Sequence, residues 1–138
     1  MKWADQLIKL SNFEVELLQK RLAEIAERRA EAEMKLAVLH AEGEAEIQRA
    51  REDAQAGWYH AGFAAGLKQR KAAVQLIIDQ TLTEEAGARD ALSEAFETLK
   101  KYEQVAENAR YAAAKEETRR ETAALDEIGL RRVAMGGR

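Results

Sequence analysis

Few residues in this 138-residue sequence are of types that could perform chemistry. The chain has no cysteine, which excludes a thiolate nucleophile, a thiolate metal ligand and a disulfide. Its two histidines are His40 and His60, and a di-metal helical bundle would need glutamate three residues before each, where Ala37 and Gly57 stand. The many carboxylates are interleaved with lysine and arginine, which is typical of a solvated helix face. We therefore expect no catalytic residue, no metal site and no cofactor.

Two further classes of ligand find no support in the sequence. Gly57 and Gly62 have the spacing that opens a phosphate-binding loop, but Phe63 and Ala64 stand where that loop needs lysine and then serine or threonine. The chain has 22 lysines and arginines against 25 aspartates and glutamates, and its basic pairs are flanked by acids. No continuous electropositive stripe results, so the sequence predicts no nucleic-acid partner.

Apolar residues at alternating steps of three and four predict two long amphipathic helices with narrow seams, as in a coiled coil. The chain contains no proline, and 34% of its residues are charged. The first predicted seam passes through Ile8, Ser11, Val15, Leu18, Leu22, Ile25, Arg29, Ala32, Leu36, Leu39 and Gly43, and then more weakly through Ile47, Ala50 and Ala54. The second passes through Phe63, Leu67, Arg70, Val74, Ile77, Thr81, Glu85, Ala88, Leu92, Ala95, Leu99, Tyr102, Ala106 and Ala109, and then Ala113, Glu116, Arg120, Ala123, Glu127 and Leu130. The two steps of four from Ile77 to Glu85 predict a stutter.

Three of the eight glycines lie between the two seams, at Gly57, Gly62 and Gly66. Because glycine weakens a helix by about 1 kcal/mol relative to alanine, we expect the chain to reverse here. The predicted fold is all-α, a single coiled-coil domain over residues 1–138 that forms an antiparallel hairpin of two long helices. We expect helix one at about 4–55, the turn at about 56–62 and helix two at about 63–132. The alternative is one uninterrupted helix that dimerises.

No apolar stretch is long enough to span a bilayer, and the first residues lack the apolar segment of a secretory signal. We therefore expect a soluble intracellular protein. Trp58, Tyr59 and Phe63 cluster near the predicted turn, where two helices could hardly bury all three rings. They either cap the turn or form a contact patch for a partner.

Both ends of the chain resemble the flagellar export protein FliJ. Residues 7–24 read LIKLSNFEVELLQKRLAE, and residues 99–107 read LKKYEQVAE. The triplet Leu125-Asp126-Glu127 resembles the closing motif of that family. The resemblance extends over nearly the whole chain and also includes its length and its two-helix layout.

This resemblance implies an antiparallel coiled coil similar to rotary-ATPase stalks and to the type III secretion protein YscO. It implies a non-enzymatic, monomeric protein at the cytoplasmic face of the export apparatus. Family members act as the central stalk of the export ATPase hexamer and promote its assembly, and they bind the export gate membrane protein and the export chaperones. The resemblance implies no nucleic acid, and membrane association only through these partners. The alternative function is a generic coiled-coil scaffold or homodimeric adaptor unrelated to export.

The resemblance also implies two contact surfaces. The family's gate contact has a phenylalanine followed four residues later by leucine, which matches Phe63 and Leu67, and we group the neighbouring Trp58 and Tyr59 with them. The end that enters the ATPase ring would present two sets of residues from the two ends of the chain. These are Leu7, Leu10, Phe13 and Leu17 from the first helix, and Asp126, Glu127, Arg131 and Arg132 from the second.

Overall fold

A computed structural model of the chain describes residues 2–53 and 57–136, with only the backbone at positions 57 and 58. The described residues form two helices, α1 (Lys2–Glu52) and α2 (Gly57–Ala134), of 51 and 78 residues. Helices this long form because the chain has no proline and is rich in strong helix formers. The predicted all-α fold of two long helices is confirmed.

Residues at the helix ends complement the partial charges of the helix termini. Asp5 lies in the first turn of α1, and Arg49 and Arg51 lie in its last turn. After α2, Gly136 adopts a φ of 84° and its N–H donates to the carbonyl of Val133 at 3.3 Å. A glycine in the left-handed region is a common way to end a helix, because residues with a Cβ rarely adopt it.

The helix bounds around the reversal differ from the expected ones. α1 ends at Glu52, about three residues before the expected end, and α2 begins at Gly57, about six residues before its expected start. Gly62 and Gly66 therefore lie inside α2, where the weakening that each glycine causes is overcome by the cooperativity of a long helix. Residues 54–56 lie outside the described residues. That the chain is a single domain stays a prediction.

Contacts divide the chain into two compact units, Val15–Glu94 and Met1–Glu14 with Ala95–Arg138. In the unit Val15–Glu94, α1 and α2 run antiparallel. Arg29 contacts Glu85, whereas the later residue Gly43 lies against the earlier residue Leu67. The first predicted seam is confirmed in this unit from Val15 to Gly43. Its buried or half-buried members are Val15, Leu18, Leu22, Ile25, Arg29, Ala32, Leu36, Leu39 and Gly43.

At three places in this unit the residue in the seam is the neighbour of the predicted one. The seam contains Glu46 instead of Ile47, Lys71 instead of Arg70, and Ile78 instead of Ile77. With Ile78 in the seam, the steps to Thr81 and Glu85 are three and then four, so the predicted stutter is wrong. Two consecutive steps of four occur instead from Phe63 through Leu67 to Lys71. Each seam side chain must enter a hole formed by the facing helix, and this outweighs the apolar preference of one position. The predicted seam position Ala54 lies outside the described residues.

The two helices approach each other closely at Gly43. A Cβ atom added at Gly43 would lie 2.7 Å from Cδ2 of Leu67, whose side chain is buried. Real Cβ atoms essentially never come so close to another heavy atom. Because Gly43 has no side chain, Leu67 can occupy the space that a side chain at position 43 would otherwise fill.

In the other unit, the first turns of α1 pack through small side chains. Ala4 and Ser11 of α1 and Ala95, Leu99 and Ala106 of α2 are buried there. Beyond Ala109 every described residue is exposed except the half-buried Glu116. The predicted seam positions Ala113, Arg120, Ala123, Glu127 and Leu130 are among the exposed ones. Lys2, the first described residue of α1, lines the same surface pocket as Arg110 of α2.

Candidate functional site: charged seam and exposed surfaces

A group of charged residues lies across the seam of the unit Val15–Glu94. The carboxylate of Glu85 is buried, with 5% of its side chain exposed, and it accepts hydrogen bonds from Arg29 Nε at 2.7 Å and from Arg89 Nη2 at 2.8 Å. Arg29 also donates to Glu33 at 3.1 Å, so one guanidinium joins acids of both helices. A guanidinium donates its hydrogen bonds in fixed directions, so it holds the carboxylates that it contacts in defined positions. A charged pair at seam positions therefore favours one register of the two helices.

These contacts alter the protonation of the Glu85 carboxyl. The hydrogen bond from Arg29 holds the pKa of Glu85 below its ordinary value of 4.5, and the charges of Arg29 and Arg89 act in the same direction. Burial opposes this effect by raising the pKa but does not overcome it. The pKa of Arg29 is raised in turn, chiefly by its hydrogen bond to Glu85.

We expect the Glu85→Gln variant to be less stable than the wild type at neutral pH and to lose that difference in acid. Because the folded pKa of Glu85 is lowered, its stabilisation is fully present above the ordinary value of 4.5 and is lost as the pH falls through the folded value. Urea midpoints measured from about pH 7 to about pH 3 check this. The neighbouring variant Glu84→Gln is the control, because Glu84 pairs with Arg28 at an exposed site and should change little. A constant difference between wild type and Glu85→Gln at every pH would contradict the expectation.

The predicted gate residues occupy different environments at the start of α2. Phe63 is half-buried, and the guanidinium carbon of Arg70 lies 5.9 Å from the centre of its ring. Tyr59 is exposed, whereas Leu67 is buried against Gly43. The side chain of Trp58 lies outside the described residues. The structure therefore leaves Tyr59 and part of Phe63 accessible to a partner, and Leu67 is a seam residue.

The predicted ATPase-facing residues of α1 are mostly exposed. In the unit that contains the start of α1, Leu10 is 66% exposed and Phe13 is 58% exposed, while Leu7 is half-buried. The sequence prediction did not include Trp3, which is also exposed and lies seven residues, about two helical turns, before Leu10. We call Trp3, Leu10 and Phe13 the outer stripe. In the other unit, Leu17 is 52% exposed.

The predicted ATPase-facing residues of α2 are exposed but do not adjoin the outer stripe. Asp126, Glu127, Arg131 and Arg132 all lie beyond the last buried residues of α2, and Arg131 donates to Glu127 at 3.1 Å. At about 1.5 Å per residue, Asp126 lies about 24 Å along the helix from Arg110, the residue that borders the start of α1. These four residues and the outer stripe form two separate surfaces of the same unit.

The described residues hold no group of three histidine, cysteine, aspartate or glutamate side chains that could bind a metal ion. Within the same residues, neither helix contains a stretch apolar enough to cross a membrane. His40 and His60 line one cavity together with Lys68 and Lys71, which no motif in the sequence indicates. Only the antiparallel register brings these residues together, and no local sequence signal carries that information.

Comparison with known proteins finds relatives that are similar to this chain over nearly its whole length. Proteins named "Flagellar FliJ protein" from two strains of Caulobacter vibrioides, NA1000 and ATCC 19089, are each 58% identical to this chain over 137 residues. The match includes 99% of this chain and 99% of each relative. No family model and no solved structure matches the chain.

Proposed function

Because this chain belongs to the flagellar FliJ family, we propose that it is a component of the flagellar type III protein export apparatus and acts as the central stalk of the export ATPase hexamer. In this role it is not an enzyme. It promotes assembly of the ATPase ring and couples the ring to the export gate and to the export chaperones. It works as a monomer at the cytoplasmic face of the apparatus and reaches the membrane only through its partners.

The observation that carries this proposal is the outer stripe. Trp3, Leu10 and Phe13 are more than half exposed, whereas the buried residues of the same turns of α1 are the small Ala4 and Ser11. Large apolar side chains gathered at one place on a surface are typical of sites that bind another protein. Each would contribute about 1.5–3 kcal/mol if it were buried against a partner. The ATPase contact therefore includes the outer stripe with Leu7 and Leu17.

The last turns of α2 supply a second, charged surface for the ATPase. Asp126, Glu127, Arg131 and Arg132 are exposed, and α1 covers none of them. Charged groups at the edge of an interface set specificity and association rate more than affinity. In this proposal the outer stripe provides most of the affinity for the ATPase ring. The four charged residues set the orientation of the protein in the ring.

The gate contact lies at the start of α2. Tyr59 and Phe63 provide its accessible aromatic surface, with Trp58 as their neighbour in the sequence. Leu67 supports the contact from the seam, where it packs against Gly43. Arg70 lies over the ring of Phe63 and holds it by a cation–π interaction.

The test is to add the protein to a purified, dilute flagellar export ATPase and to measure ring formation by sedimentation and ATP hydrolysis. We expect the wild type to raise both. The variant with Leu10→Glu, Phe13→Glu and Leu17→Glu should need at least about tenfold more protein for the same effect, because three apolar contacts are replaced by charges.

The matched control carries Met34→Glu, Val38→Glu and Leu76→Glu, three similarly exposed apolar residues at other places. It should act like the wild type, and circular dichroism should show equal helix content in all three proteins. Absence of ring stimulation by the wild type would overturn the stalk role. A homodimer under the same conditions would favour the alternative, a coiled-coil scaffold or adaptor unrelated to export.

A further inference from the structure

The seam of α2 contains one residue more than a regular coiled coil accommodates. Phe63 and Glu85 both lie in the seam of the unit Val15–Glu94, and they are 22 residues apart, one more than three heptads contain. The extra residue must be accommodated between them as a stutter, two consecutive steps of four that locally unwind the supercoil. The structure places this stutter at Leu67, between Phe63 and Lys71.

A second order of seam residues fits the same stretch of α2. The stutter can lie at Thr81 instead, and then Arg70 takes the place of Lys71 in the seam. Ile77 likewise takes the place of Ile78. Because one exchanged pair is cationic and the other is isoleucine at both positions, hydrophobic burial does not distinguish the two seams. The seam positions that both orders share are Phe63, Leu67, Val74, Thr81 and Glu85.

Contacts with α1 hold this stretch of α2 at both ends. Leu67 packs against Gly43, and Glu85 accepts a hydrogen bond from Arg29 at 2.7 Å. Leu67 and Glu85 keep their seam positions in either order of residues. A change from one seam to the other therefore turns only the part of α2 between them, by less than the 100° that separates adjacent residues of a helix.

The backbone of α2 is loosened near the place where the second seam has its stutter. The hydroxyl of Thr81 donates to the carbonyl of Ile78 at 2.8 Å and lies 3.0 Å from the carbonyl oxygen of Ile77. Thr83 donates to the carbonyl of Asp79 at 3.2 Å. Threonine hydroxyls that bond helical carbonyls compete with the backbone N–H groups and often bend a helix. A change in local winding is therefore easier in these turns.

We propose that the stutter moves along α2 between Leu67 and Thr81, so that this part of the hairpin switches between two seams. In the major state Ile78 is buried and Ile77 is exposed, as the structure shows. In the minor state the two isoleucines exchange these roles. The hairpin therefore presents two different outer faces while its contacts at Leu67 and Glu85 stay in place.

A contact of Arg70 favours the major state. Its guanidinium carbon lies 5.9 Å from the centre of the Phe63 ring, and its Nε donates to the carbonyl of Gly66 at 3.5 Å. Rotation of Arg70 into the seam removes the cation–π contact, so the second seam is the minor one. The switch is a property of the chain by itself, and it does not depend on the proposed function.

Nuclear magnetic resonance of the full-length protein with labelled isoleucine methyl groups tests the switch without any partner. We expect relaxation dispersion at Ile77 and Ile78 with one shared exchange rate and one shared minor population of about 1–3%. Ile25 is the control and should show no dispersion, because it is buried in the seam and has no large apolar neighbour in the sequence. Absence of dispersion at the two adjacent isoleucines, or unrelated rates there, would overturn the proposal.

Glutamine substitutions select the two states. Ile78→Gln should adopt the second seam, because the first would bury the glutamine amide. Its Ile77 methyl, 48% exposed in the wild type, should become at least about threefold less accessible to a soluble paramagnetic probe. Ile77→Gln should keep the first seam and abolish the dispersion at Ile78.

Urea unfolding gives a second, independent measurement. Ile25→Gln should lower the urea midpoint at least about twice as far as Ile78→Gln, because only at position 78 can an adjacent isoleucine enter the seam. Equal losses in the two variants, or a methyl of Ile77 that stays as accessible in Ile78→Gln as in the wild type, would refute the second seam.

Discussion

The Ile78→Ala variant is expected to lose about 2–5 kcal/mol of its free energy of unfolding, the usual range for truncating a buried isoleucine. The side chain of Ile78 is 6% exposed and lies in the seam between Val74 and Thr81. Each helix packs on only one other helix, so few neighbouring side chains can move to fill the space that the truncation leaves. Urea unfolding followed by circular dichroism measures the loss.

Ile77→Ala is a closely matched control, because it removes the same atoms one residue earlier. Ile77 is 48% exposed, so its truncation should change the free energy of unfolding by no more than about 0.5 kcal/mol. The comparison also tests the register, since the sequence pattern alone placed Ile77 in the seam. A larger loss at Ile77 than at Ile78 would contradict the seam that the structure shows.

The Gly43→Leu variant should be destabilised by about 1–3 kcal/mol through overpacking. The first added carbon would already lie 2.7 Å from Cδ2 of Leu67, and the remaining atoms would enter space that Leu67 occupies. Leucine is a better helix former than glycine by somewhat under 1 kcal/mol, which offsets only part of this loss. Chemical denaturation of the variant measures the net change.

Gly87→Leu provides the control for helix propensity. A Cβ at Gly87 would meet no atom within 4 Å, so this substitution should stabilise the protein by somewhat under 1 kcal/mol. Adding Leu67→Ala to Gly43→Leu should cost less than the sum of the two single changes, because the new leucine fills the vacated space. If the Gly43 and Gly87 variants gained equally, the close approach at Gly43 would be refuted.

The sequence alone predicts the elements of this fold and most of one seam. An alternation of three and four between Val15 and Gly43 allows only one face of α1 to be buried, and the structure buries that face. The absence of proline predicts long helices for an equally local reason, since each backbone hydrogen bond joins residues four apart. The exposure of Leu10, Phe13 and Leu17 also follows from their positions off the predicted seam.

The sequence does not decide positions where two neighbouring residues compete for the seam. Adjacent residues of a helix point about 100° apart. At Ile77 and Ile78 both candidates are apolar, so local preference cannot choose between them. Of the neighbours Glu46 and Ile47, the buried one is Glu46, although it is the more polar. The facing helix decides, because each seam side chain must enter one of the holes between its side chains.

Only the antiparallel packing brings distant residues to a common place. Arg29 forms an ion pair with Glu85, and Leu67 packs against Gly43. His40 and His60 line one cavity. None of these pairs has a signature in the local sequence, because helix periodicity relates residues only a few positions apart. The contacts between the two helices depend on where the chain reverses, and that point is set by the packing of both helices at once.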